Sequence, residues 1–195
     1  MPLWRKTLVF LAMVNEVATE MQHRWKYVDD ITVAEVCDPK ACTPPNGTQD
    51  AMDAISSRAD NDHMSLNVGK CAVMQCAFSK RVPPPPVVSA NDKTVPTVTT
   101  LTLLGVTLTP TLKWDQHVDS LVNKANSKGF FLAVLRRSGV TPSHLISFYI
   151  TFIRPTLEYA APVWHPGLPQ HLSNQLETAQ RLCLRSIYPD LSYRA

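Results

Sequence analysis

No apolar run in this 195-residue sequence approaches the ~20 residues that a membrane-spanning helix needs. Glycine is scarce, at 6 residues, and no glycine-rich loop is present to support a methyltransferase reading. The five cysteines, at positions 37, 42, 71, 76 and 183, are odd in number in a chain that is not small. That argues against a secreted disulfide scaffold and fits reduced thiols inside a cell. A strong excess of one charge is also lacking. Nineteen Lys and Arg against sixteen Asp and Glu leave +3, a mildly basic balance that is compatible with nucleic acid but diagnostic of nothing. There is no internal repeat.

What is present is a composition 45% hydrophobic, enough for a real core in one domain or one and a half. Eight of the 16 prolines lie between residues 39 and 96. Near the N-terminus, Arg5 and Lys6 precede "TLVFLAMV", which has the look of a signal peptide. The run is short and ends in Asn15-Glu16 without a small-residue cleavage site, so a buried or amphipathic helix over 7–22 is the better expectation.

Periodicity and turn residues predict the order of elements. A hairpin is expected over 25–36 and a loop over 38–47. A polar helix over 48–64 carries one apolar face of Ala51, Met52, Ile55 and Ala59. "CAVMQCAF", 71–78, reads as a strand. Residues 80–96, with four consecutive prolines, read as an extended path that cannot be helical. In 98–108 the alternation slips by one residue, which predicts a bulge or turn at Leu104-Gly105. Three helices should follow. The first, 114–137, has the stripe Val118, Leu121, Val122, Ala125, Leu132 and Leu135, with Gly139 as its stop. The second, 142–160, has Thr141 as N-cap, Pro142 in its first turn, a kink at Pro155, and the stripe Leu145, Tyr149, Phe152, Ile153 and Leu157. The third, 170–187, has Leu172, Leu176, Ala179, Cys183 and Ile187.

The stretch "WKYVDDITVAE", 25–35, places Asp29 and Asp30 between two β-rich runs. Two acids at a hairpin tip suit a solvated turn, because Asp hydrogen-bonds nearby backbone. They can also serve a divalent metal, since Mg²⁺ takes hard carboxylate oxygens, although taken alone the pair reads better as a solvated turn. Only a turn lets both reach one site, because neighbouring strand residues face opposite ways. Two other constellations are decoys. Structural zinc sites usually space their cysteine pairs by two to four; here the pairs are Cys37-x4-Cys42 and Cys71-x4-Cys76, and the second falls on a predicted strand, where i and i+5 face apart. His117-Val118-Asp119 has the form of an oxygenase facial triad, but on a predicted helix residues two apart point ~200° apart.

The segment "KYVDDIT" resembles the Tyr-x-Asp-Asp box of the reverse transcriptases of non-LTR retrotransposons of the jockey and LINE-like type. Other segments resemble the same family in its own order. They are "LVFLAMVNEV" before the box, "LNVGKCAVM" at 66–74, "LLGVTLTPTLKWDQHV" at 103–118, "FIRPTLEYAAPVWHP" at 152–166 and "LETAQRLCLRSI" at 176–187. The resemblance covers residues 8 to 193. It implies an α+β fold: a partial polymerase palm with an antiparallel hairpin plus helices, followed by an all-helical thumb or connection region. The expected divisions are 1–80 for the partial palm, 81–97 for a Pro-rich linker, 98–112 for primer-grip-like strands and 113–195 for the thumb.

By the same resemblance Asp29 and Asp30 are metal-binding catalytic acids for Mg²⁺, and Tyr27 lies beside the primer terminus. Lys70 serves the leaving pyrophosphate, although a plain surface lysine fits it as well. Leu104 and Gly105 form the primer-grip turn. Arg136 and Arg137, which end a helix where cations suit the dipole, equally suit phosphate. Trp114 is expected to pack a helix start, and Tyr149, Tyr159 and Trp164 to be thumb core. The implied partners are a primer–template nucleic acid and a deoxynucleoside triphosphate, with no membrane, in the nucleus or cytoplasm.

The departures from the family are equally specific. The family's further catalytic aspartate and its Pro-Gln-Gly turn lie upstream of the box, and only seven residues precede Leu8 here. "VNEV" replaces the usual "IND". The expectation is therefore a polymerase fragment with little or no activity by itself. A nucleic-acid-binding remnant or a non-catalytic interaction module is the alternative. A helical segment of the kind appended to AlkB-type dioxygenases or methyltransferases, on a short similarity over 113–140, is the runner-up.

Overall fold

The computed structural model describes residues 23–36, 46–78 and 84–189. The helix expected over 7–22, most of the loop expected over 38–47, and Cys37 and Cys42 lie outside the described residues. The chain divides into two units between Leu101 and Thr102.

In the first unit, β1 (Arg24–Tyr27) and β2 (Asp30–Val33) form the expected antiparallel hairpin, with Arg24 opposite Val33 and Tyr27 opposite Asp30. The polar helix is α1 (Gly47–Asn61). Ala51 and Ala59 are buried, and Met52 and Ile55 half-buried, so the expected apolar face is the one used. A small core of Val68, Val88, Ala90 and Val95 gathers Met52, Leu66, Cys71 and Val73 around it.

Two expectations for this unit are corrected. Residues 71–78 are not a strand; a single parallel bridge joins Val73 to Thr97. Val73 N–H donates to Pro96 O and Val98 N–H to Val73 O, and the ladder cannot extend backwards because Pro96 has no N–H. The cysteine N–H at 71 is committed to Val68 O in a 3₁₀ turn over Val68–Lys70. The span 81–97 is also more than a linker. Ser89–Ala90 (β3) and Lys93–Thr94 (β4) pair across a turn in which Asn91 (φ 49°) and Asp92 (φ 58°) are both left-handed. That is the turn geometry Asn and Asp tolerate best. The Gln49 side chain holds β3 as a strand would, accepting from Ser89 N–H at 2.8 Å and donating to Ser89 O at 3.0 Å.

The division falls after the first residue of β5 (Leu101–Leu103), which pairs with β6 (Val106–Leu108) across the turn expected at Leu104-Gly105, where φ is 46° and 80°. Helix α2 (Asp115–Arg137) follows and stops at Gly139 (φ 84°). There Gly139 N–H reaches Arg136 O and Val140 N–H reaches Leu135 O, a Schellman ending that only a left-handed residue allows. The next helical stretch is divided in three: α3 (Pro142–Phe148), a π turn (Tyr149–Ile153) and α4 (Arg154–Glu158). The break falls just ahead of Pro155, which lacks an N–H and whose ring crowds the preceding turn.

The buried line there is Leu145, Tyr149, Ile153 and Leu157; Phe152, expected in the stripe, is about half exposed. Its neighbour Ile153 holds the i+4 spacing, so Phe152 points off the face. Thr141 is extended as an N-cap should be, yet its hydroxyl bonds Ser143 Oγ and His144 Nδ1 rather than backbone. A short helix α5 (Ala161–Trp164) leads to α6 (Gln170–Ile187). Leu172, Ala179, Cys183 and Ile187 of α6 are buried, and Leu176 is half-buried. Cys183 and Ile187, with Leu176 packed against them, close a core with Ala125 and Leu132 of α2 and the four buried residues of the α3–α4 stretch. Among the described residues no helix is long and apolar enough to cross a membrane.

Candidate functional site

The acidic pair sits where the sequence placed it, at a hairpin tip. Val28 and Asp29 form the turn and Asp30 opens β2. Directly opposed residues of an antiparallel pair share a face. Tyr27 therefore stands beside Asp30, and Trp25 beside Thr32, on one side of the hairpin. Trp25, Tyr27, Val28, Asp29 and Asp30 are all exposed. On the other face Arg24 and Lys26 are half-buried, and burial together with the Arg24 charge lowers the Lys26 pKa. Val28 is left-handed, with φ 56°. A β-branched residue in that region is a true outlier, costing about 1–2 kcal/mol. Such strain persists only where the surrounding pairing fixes it.

The hairpin is tied to α1 by Glu35, which sequence reasoning passed over. One carboxylate oxygen accepts from Thr48 N–H and from the Thr48 hydroxyl, both at 2.8 Å; the other accepts from Gly47 N–H at 3.1 Å. An anion at a helix N-terminus satisfies orphan donors and complements the dipole. No side chain fits at position 47 without displacing it, since a Cβ there would lie 2.7 Å from Glu35 Oε1.

The other expected residues are placed as follows. Lys70 is exposed at the end of the 3₁₀ turn, and among the described residues no hydrogen bond or ion pair joins it to Asp29 or Asp30. Leu104 and Gly105 form a left-handed turn whose Leu104 side chain is exposed. Arg136 and Arg137 are exposed in the last turn of α2, where Arg137 Nε reaches Ala133 O at 3.4 Å. Trp114 caps the start of α2, with its carbonyl accepting from Val118 N–H. Tyr149 and Trp164 are core, but Tyr159 is 52% exposed and is corrected from core to surface. Its hydroxyl donates to Leu104 O at 2.8 Å, and its own carbonyl accepts from Trp164 Nε1 at 2.8 Å.

The two halves of the His-x-Asp decoy face apart. His117 is buried, with Nδ1 accepting from Thr107 N–H at 3.2 Å and its ring edge-on to Trp114 and Trp164. Asp119 is exposed and accepts from Gln175 Nε2 of α6. The two side chains therefore do not share one site. The buried, hydrogen-bonded His117 was visible only as part of "LKWDQHV", without a sign of what it holds. Cys183 is core, and its burial pushes the thiol pKa up.

The donor set at the tip is two exposed carboxylates, whose hard oxygens fit Mg²⁺. Among the described residues no group of three or more His, Cys, Asp or Glu could hold a metal ion. Two carboxylates are fewer than a two-metal site uses.

Over 176 residues, 89% of this chain, the sequence is 25% identical to the RNA-directed DNA polymerase from mobile element jockey of Drosophila melanogaster. Over 167 residues, 83% of the chain, it is 27% identical to the protein of the same description from Drosophila funebris. The chain spans under a fifth of each relative's length, 19% and 17%. No family model and no solved structure matches. The chain thus has a distant sequence relationship to the RNA-directed DNA polymerases of jockey mobile elements.

Proposed function

We propose that this chain is the palm-hairpin and thumb portion of a retrotransposon reverse transcriptase. In this reading Asp29 and Asp30 hold Mg²⁺ at the hairpin tip, Tyr27 lines the primer terminus, and the Leu104-Gly105 turn meets the primer. The reaction class is nucleotidyl transfer, in which the primer 3′-hydroxyl attacks the α-phosphate of a deoxynucleoside triphosphate and pyrophosphate leaves. Bound Mg²⁺ would supply charge neutralisation at the phosphates.

The observation that carries the reading is the exposed acidic pair on a paired, strained β-turn with Tyr27 opposite Asp30. It sits within a sequence related along most of its length to polymerases of that description. In this reading two carboxylates, without a third beside them among the described residues, bind metal weakly and support little or no primer extension by themselves. For the same reason a nucleic-acid-binding role without chemistry is the second reading, favoured by the lack of a three-ligand cluster among the described residues.

Paramagnetic Mn²⁺ titrated into the chain tests the metal assignment. Amide signals of residues 27–31 should broaden first, and Asp29→Asn with Asp30→Asn should remove the effect. Broadening centred elsewhere, or surviving the double change, would overturn it.

A further inference from the structure

The β5–β6 turn is held at two points. At its base, His117 Nδ1 accepts from Thr107 N–H on β6. At its tip, the Tyr159 hydroxyl donates to Leu104 O at 2.8 Å, across 55 residues of sequence. The Tyr159 ring also lies along Gly105, where an added Cβ would sit 3.0 Å from Tyr159 Cε1.

The tip needs such support. A two-stranded hairpin is marginal in water, and this one has only three residues on each side. Leu104 is left-handed without being glycine, a conformation that L-residues resist. Gly105 takes φ 80° without strain, and its missing Cβ leaves room for the Tyr159 ring. The anchor at the base is buried with His117, whereas Tyr159 is half exposed and stands beside the open tip.

We propose that Tyr159 is a positioning residue: its hydroxyl and ring hold the Leu104-Gly105 turn in the conformation that meets the recessed end of a nucleic-acid primer. The inference rests on the polymerase reading above.

The experiment uses the whole 195-residue chain and Tyr159→Phe, which removes one oxygen and keeps the ring. Two quantities are read. The first is amide hydrogen exchange at Gly105 and Val106, compared with α2 and α6. The second is affinity for a labelled duplex with a recessed 3′ end, compared with a blunt duplex of the same length. The expected result is faster exchange at the turn by about fivefold, the loss of one hydrogen bond, with the helices unchanged. The preference for the recessed end should fall by a similar factor while blunt-duplex binding is unaltered, a change that mere destabilisation would not produce.

Unchanged exchange at the turn would overturn the inference. So would a loosened turn with the end preference intact in a chain that otherwise binds as expected. Absence of binding to either duplex by the unsubstituted chain would instead bring down the polymerase reading and the primer role with it.

Discussion

Glu35 and Thr48, thirteen residues apart, are joined twice: one oxygen of the Glu35 carboxylate accepts from both the backbone N–H and the hydroxyl of Thr48. The strand that leaves the acidic turn is thereby fastened to the start of α1. Replacing Glu35 with Ala should lower the stability of the first unit by about 1–2 kcal/mol, the range for losing a helix N-terminal partner. Glu35→Gln, which keeps an acceptor but not the charge, should cost less. Urea unfolding followed by circular dichroism measures both, and an unchanged midpoint for Glu35→Ala would contradict the role.

His117 gives the second unit a pH dependence of definite sign. Its Nδ1 accepts from Thr107 N–H, so the ring must be neutral in the folded chain. Burial first, and the Lys124 charge second, lower its pKa from the ordinary 6.5. The unfolded chain therefore takes up a proton at pH values where the folded chain does not. Stability is complete above ~6.5 and is lost as pH falls below that towards the depressed value, at up to about 1.4 kcal/mol per pH unit. His117→Phe should be less stable at pH 8, through the orphaned Thr107 N–H, and should have a shallower slope as pH falls below 6.5. An equal slope in both proteins would contradict this.

The cysteines should separate by reactivity. Cys183 is buried, and burial raises its thiol pKa; Cys71 is half-buried with its pKa raised for the same reason; Cys76 is exposed. With Cys37 and Cys42 replaced by Ser, a thiol reagent at neutral pH should label Cys76 first, Cys71 more slowly, and Cys183 only on unfolding. Rapid labelling of Cys183 in the folded chain would show that the α2–α6 core is not packed as described.

What could be read from the sequence was what local pattern determines. The α6 stripe from Leu172 to Ile187 repeats at three and four, so its buried face was legible. The slip in alternation at Leu104-Gly105 marked a turn, and Asp29-Asp30 between β-branched residues marked a hairpin. What could not be read depends on partners distant in sequence. Gln49 completes β3 from 40 residues away, and Tyr159 reaches Leu104 across 55. Glu35 caps a helix that it precedes by twelve residues. The Asn91-Asp92 turn was hidden differently: the neighbouring prolines drew the whole span into a linker, although both residues tolerate the left-handed turn that β3 and β4 require. Phe152 fits the helical spacing as well as Ile153 does, and it is Ile153 that continues the buried i+4 line from Leu145 to Leu157.

The central claim is that Asp29 and Asp30 are the metal-holding acids of a polymerase. The most direct measurement is Mg²⁺-dependent primer extension by a chimaera in which the preceding part of a jockey polymerase is joined to this chain. The account predicts extension that Asp29→Ala with Asp30→Ala abolishes, with folding unchanged because both side chains are exposed. Extension that survives the double substitution would contradict it.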